Sequence, residues 1–233
     1  VNMALSIAPV VEVIRTNRLR TATIKVVGNK VEVSVPQLLS DARIKDLLMK
    51  KSTWIKRKLI DHSQIALPKP KEYINGEAFP YMGRNYRLKV VKGSENAVKL
   101  TQGYIQVTVA RTAKVNDQLI RDLLVNWYMD LAIARLKEKT LKYAKQLGVI
   151  PKSISVRDYK SRWGSCSVKG DISYNWRIIL APQEIVDYVV VHELSHMIQH
   201  NHSPKYWKLV EKIFPNHQDC REWLKVNGSR LFI

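Results

Sequence analysis

The chain has 233 residues, enough for one large domain or two small ones with a real core. Hydrophobic residues make up 45%, which excludes a disordered chain, and no apolar run reaches the roughly 18 residues that a membrane-crossing helix needs. The net charge of +19 is uneven: residues 1–150 hold 27 Lys/Arg against 12 Asp/Glu, residues 151–233 hold 12 against 8, so most of the surplus lies in the first part of the chain.

Residues 1–12 are mildly apolar without a basic run before them, so no signal peptide is expected. A hairpin is predicted from Thr21–Val27 and Val31–Val35 around Gly28-Asn29-Lys30, with Pro36 ending the second strand. Ile44, Leu47, Leu48, Ile55 and Leu59 recur at helical spacing from about Asp41 to His62. That helix also carries Lys45, Lys50, Lys51, Lys56, Arg57 and Lys58, a solvated basic face or a surface for nucleic acid. Pro68-Lys69-Pro70 reads as a linker, and short strands follow at Phe79–Met82, Tyr86–Val91, Ala97–Leu100 and Tyr104–Ala110, punctuated by Gly83, Gly93 and Gly103.

A long helix is predicted from near Asn116 to Leu147, with Leu119, Leu123, Trp127, Leu131 and Ala134 on one face and Gly148 and Pro151 as stops. Strands are expected at Ser153–Tyr159 and Ile172–Tyr174, then a helix opening at Pro182, then helices near Lys205–Ile213 and His217–Val226. The order predicts an α+β fold: a β-rich part over residues 1–110 with one basic helix, and a catalytic domain over 111–233. Cys166 and Cys220 are expected to be reduced thiols in a cytoplasmic protein.

The chemistry concentrates in His192-Glu193-Leu194-Ser195-His196. Imidazoles four residues apart share one helix face and can reach one ion. A carboxylate beside the first can act on a water held there. Ile185, Tyr188, Val189 and Val190 precede the pair and place it on a mostly buried helix, where two imidazoles need a reason. Such a site takes a third protein ligand and keeps one position open. Candidates are His200, His202, Glu211 and Glu222. His200, one turn further along, sits about 6 Å along the axis and closes a tetrahedron poorly. Ser203 as N-cap and Pro204 at the first helical position make Asn201–Pro204 a turn from which His202 can fold back, so His202 is favoured. His62 and His217 have no such setting.

The run Ser161-Arg162-Trp163-Gly164-Ser165-Cys166-Ser167, with Gly170-Asp171-Ile172, Asn175-Trp176-Arg177, Leu180-Ala181-Pro182, Tyr188 to His196, Asn201-His202-Ser203 and Tyr206-Trp207, resembles the YgjP-like metal-dependent hydrolases, relatives of the SprT and WLM zincin-like metallopeptidases. Trp54-Ile55 and Gly83-Arg84-Asn85-Tyr86 resemble the N-terminal part of that family. The resemblance implies a zincin-like catalytic domain, Zn2+ held by His192, His196 and His202, and Glu193 as catalytic base. It also implies that Trp163-Gly164-Ser165-Cys166 precedes an edge strand beside the metal, where a peptide could pair. Arg162, Trp163 and Cys166 are the candidate substrate-binding residues, against the plainer readings of a salt bridge for Arg162 and a small buried residue for Cys166. The interval from His196 to His202 is that of metzincins, but Gln199 replaces their glycine, so the turn must differ.

Peptide-bond hydrolysis is the leading expectation. The resemblance also admits nucleoside-triphosphate pyrophosphohydrolysis and, through SprT relatives and the basic N-terminal part, a nucleic-acid-associated protease or binding module. Partners are thus a peptide, protein or nucleotide substrate, with nucleic acid as a further candidate and no membrane.

Overall fold

The computed structural model describes residues 10–27, 30–64 and 69–233. Contacts divide the chain into two compact units, Val1–Leu67 and Pro68–Ile233.

The first unit holds strands β1 (Val10–Thr16), β2 (Thr23–Val27) and β3 (Lys30–Pro36), then helices α1 (Asp41–Lys50) and α2 (Ser52–Gln64). The expected hairpin is present: β2 and β3 pair antiparallel with Val27 opposite Lys30, while Gly28 and Asn29 themselves lie outside the described residues. Alternation in β3 sends Val31, Val33 and Val35 into a small core with Val26, Ile44 and Ile55. The single helix expected from Asp41 to His62 is two helices broken at Lys51, whose ψ of 6° leaves the helical region. The side chain of His62 lies outside the described residues.

The second unit opens with β4 (Ala78–Tyr81), β5 (Arg84–Gly93), β6 (Ala97–Thr101) and β7 (Tyr104–Ala110), ordered β4-β5-β7-β6. The boundary expected after residue 110 falls inside this unit. Its physical reason is a shared core: Phe79, Leu88, Ile105, Val107 and Val109 from the sheet bury together with the long helix α3 (Asp117–Leu147). Asn116 caps α3 by accepting from the Leu119 amide, and Gly148 ends it in the left-handed conformation at φ 70°. The fully buried stripe of α3 is Ile120, Leu124, Tyr128, Ala132 and Leu136, one residue beyond the expected face; Leu119, Leu123, Trp127 and Leu131 pack only partly. The two stripes adjoin, and the apolar surface of α3 is wide enough to hold both.

A second sheet, ordered β8-β10-β9, follows: β8 (Ser153–Arg157), β9 (Gly164–Cys166) and β10 (Asp171–Asn175). A 3-10 helix, Trp176–Leu180, leads into α4 (Gln183–Ser195), and α5 (Pro204–Ile213), α6 (His217–Asn227) and a second 3-10 helix, Gly228–Leu231, follow. The β4–β5 turn docks on this segment. The Met82 amide donates to the Ile179 carbonyl, and a Cβ at Gly83 would stand 3.1 Å from Pro182 Cα. The molecule is therefore α+β, as its element order predicts. No helix among the described residues is long and apolar enough to cross a membrane.

α4 is apolar nearly all round, with Ile185 to Val191 buried, so it runs through the core. α3 flanks it through the Lys139–Asp187 ion pair at 2.6 Å. Since α3 is the wall of this core, Leu124→Ala, at a fully buried position, is expected to cost about 3 kcal/mol through lost burial and an unfilled cavity, measured by urea denaturation.

Candidate metal centre

His192 and Glu193 sit on the last turn of α4, and His196 is its C-cap. The chain then turns through Met197–Gln199, and His202 comes back from the segment before α5. One nitrogen from each of His192, His196 and His202 lies within 4.8 Å of the other two, the metal-ligand cluster found among the described residues. The His192 and His202 Nε2 atoms are 3.2 Å apart. Two ligands of a tetrahedral ion bound at about 2.0–2.1 Å stand about 3.3 Å apart, so this pair is already at bonding separation. The donor set is three nitrogens of intermediate softness, which suits zinc. His200 and Glu211 are exposed and outside the cluster, and Glu222 pairs with Lys225 at 3.0 Å.

The turn that delivers His202 explains itself in local bonds. The His196 Nδ1 lies 3.2 Å from the Gln199 carbonyl, and the Asn201 carboxamide oxygen accepts from Gln199 Nε2 and the Ser203 amide. Ser203 then caps α5, with Pro204 at its start. Apart from glycines, positive φ among the described residues occurs only at Tyr73, Met82 and Gln102. Gln199 therefore needs none of the freedom that a glycine supplies.

A layer of aromatic side chains orients the imidazoles. The Tyr188 hydroxyl lies 3.3 Å from His192 Nδ1, and with the Gln199 carbonyl on His196 it occupies the outward nitrogens and leaves the inward ones for an ion. Tyr206 is fully buried, stacks on His196 at 4.6 Å and donates to the His192 carbonyl at 2.9 Å. Trp207 stacks on His202 at 5.5 Å. The i, i+4 spacing of Tyr188 from His192 on α4 is a local signal for its contact, whereas Tyr206 and Trp207 lie on α5 and reach the imidazoles only through tertiary packing.

Glu193 is 6% exposed, and burial pushes its carboxyl up to about 8, opposed by the positive charge of Arg162. It lies against β9: a Cβ at Gly164 would meet its Oε1, Cγ and Cδ at 2.6–2.8 Å. Only a bare backbone leaves room for this carboxyl, which is why a glycine stands there. Burial and the neighbouring imidazoles hold His192 down at about 3, and burial also lowers His196. Neutral imidazoles are the ligating form.

A cavity of about 310 Å³ opens beside this group, lined by Arg162, Trp163, Tyr188, His192, Glu193 and Arg221 among others. Arg162 and Trp163, two of the candidate substrate-binding residues, line this cavity, and Arg221, from α6, is an addition that no sequence motif marks. The segment expected to precede an edge strand contains it: Gly164–Cys166 is β9, bonded only to β10 among the described strands. Cys166 lies on that strand but does not line the cavity, and burial together with the nearby Glu193 charge pushes its thiol up to about 11. A protonated thiol is a poor nucleophile and a poor ligand. Both cysteines are free.

Residues 20–227 match the YgjP-like metallopeptidase domain. The chain belongs to the YgjP-like family. A YgjP-like domain is a metallopeptidase domain, and the three clustered imidazoles are the residues of this one that could hold its metal. Among solved structures, the metallopeptidase zymogen of Pyrococcus abyssi abylysin is similar at 24% identity over 39% of this chain and 94% of its own, with a TM-score of 0.36. No curated protein matches the chain.

The opposed shifts of Glu193 and His192 give the metal-free protein a readable pH signature. Between the ordinary carboxylate value and about 8, Glu193 holds a proton in the folded state that it lacks when unfolded, so its contribution falls as pH rises through that window. His192 acts oppositely: it binds a proton only when unfolded between about 3 and 6.5, so its contribution rises with pH there. Glu193→Gln is therefore expected to gain stability relative to the parent as pH rises from 5 to 8. Urea midpoints of both metal-free proteins across that range check it; a constant difference would contradict the buried carboxyl.

Proposed function

We propose that the protein is a zinc-dependent peptidase in which His192, His196 and His202 hold the ion and Glu193 is the catalytic base. The observation that carries this reading is the convergence of three imidazole nitrogens within 4.8 Å of one another, with His192 lining a cavity together with the buried Glu193 carboxyl. When bound, the ion supplies Lewis-acid polarisation and acidifies water. Glu193, with its proton affinity raised toward neutrality, accepts a proton from the attacking water and returns it to the departing amine as the peptide C–N bond breaks. The Tyr188 hydroxyl and the Gln199 carbonyl keep the His192 and His196 rings facing inward throughout. The unpaired edge of β9 offers main-chain groups to an extended substrate, which would lay its scissile bond across Glu193.

Zinc-loaded protein and Glu193→Gln should be incubated with an unfolded protein and, separately, with nucleoside triphosphates. New peptide termini that depend on Glu193 are expected, with activity lost by at least a hundredfold in the variant while zinc content is unchanged. Glu193-dependent release of pyrophosphate instead would overturn the peptidase reading in favour of phosphoanhydride hydrolysis. His202→Ala is expected to lose most bound zinc by metal analysis after dialysis; full retention would remove His202 from the ligand set. Gly164→Ala is expected to keep its zinc yet lose activity comparably to Glu193→Gln, because the added methyl occupies the space of the Glu193 carboxyl.

A further inference from the structure

The cavity beside Glu193 carries two arginines that the proposed hydrolysis does not use. Arg162 precedes β9 and Arg221 lies on α6, and both line the same space as His192 and Glu193. Neither forms an ion pair with a carboxylate among the described residues. Aromatic faces hold them instead: Arg221 sits 4.4 Å over the ring of Trp207, and Arg162 sits 5.3 Å from that of Tyr159. A ring face supports a guanidinium without occupying its in-plane donors, so both forks stay open to a planar anion.

Arg162 is also placed by a built scaffold. Asn175, 1% exposed, donates from Nδ2 to the carbonyls of Tyr159 at 2.8 Å and Arg162 at 3.1 Å, and its amide donates to the Trp163 carbonyl at 2.8 Å. Arg177, buried between Trp176 and Phe232, anchors the same loop through Asp158. Gly228 lets Trp163 approach to 3.1 Å of where its Cβ would be. The acidic group of the cleft is Glu193, whose role is proton transfer, so the positive charge of the two arginines is left for a ligand.

We infer that Arg162 and Arg221 select peptides bearing an acidic side chain close to the scissile bond. This deepens the peptidase reading and rests on it. A carboxylate in the cleft would meet guanidinium donors from Arg162 and Arg221, which line the same cavity as Glu193, whereas a lysine or arginine there would face like charge.

The test separates selection from catalysis. Binding is measured by fluorescence anisotropy on zinc-loaded Glu193→Gln protein, with two labelled peptides that differ by one Glu or Gln at the centre, and with ATP as competitor. The Glu peptide is expected to bind at least tenfold more tightly, with the ratio falling toward one in the Arg162→Gln/Arg221→Gln background. Arg221→Glu should favour a Lys peptide over the Glu peptide. Mapping of cut sites by the active protein in an unfolded-protein digest should show Asp or Glu enriched within three residues of the cleaved bond. Equal binding of the two peptides, a ratio that survives loss of both arginines, or tighter binding of ATP than of the Glu peptide would overturn the inference. Failure to cut any peptide while the binding ratio holds would overturn the peptidase reading and with it the link to a scissile bond, whereas cutting without the binding ratio would overturn the arginine selection alone.

Discussion

A helix apolar around nearly its whole circumference has to be enclosed, and α4 sets that demand for the second unit. Ile185 to Val191 leave no face for water, so α3 lies on one side, the 3-10 helix and β9 on another, and α5 and α6 cover the rest. The cavity takes one side of α4 from Tyr188 and Val189 to its last turn, which carries His192 and Glu193. Enclosure thus does two things at once. It holds the helix in place, and it strips water from the groups at its tip, which is why the proton affinity of the Glu193 carboxyl is raised and those of His192 and His196 are lowered.

The centre divides into parts with different requirements. Ligand direction is a matter of hydrogen bonds at the outward nitrogens and of aromatic packing by Tyr206 and Trp207. Placement of the Glu193 carboxyl is a matter of clearance, given by one missing side chain at Gly164. Placement of the cleft wall depends on Asn175, which spends a buried carboxamide on pinning the loop before β9. These three devices lie on different elements, so each can fail without the others.

Much of this was legible in the sequence where the signal is local. The hairpin signal placed β3, glycine-punctuated short strands included β7, Gly148 ended α3, and the i, i+4 imidazoles with the Ser203-Pro204 helix start pointed to His202. What escaped was set by tertiary packing. The helix from Asp41 breaks at Lys51 without any Gly or Pro to announce it. The buried face of α3 is one residue over from the stripe that periodicity favours, because both adjoining stripes are apolar. The first division of the chain falls after Leu67 because the β4–β7 sheet shares a core with α3, a contact no linear pattern shows. Arg221 stayed invisible for the same reason: only the approach of α6 to α4 puts it in the cleft.

The histidines and their glutamate also differ in how far along the chain their partners lie. All three imidazoles, with the turn that assembles them, fall within residues 192–202, and closing so short a loop takes on the order of 10–100 ns. The wall beside Glu193 comes from β9, some thirty residues upstream, and from α6, further downstream. The donors are thus gathered by local contacts and the cleft by long-range ones, whose loop-closure cost is larger. A substitution that loosens the packing of β9 or α6 would open the cleft while leaving the donor turn its own local bonds.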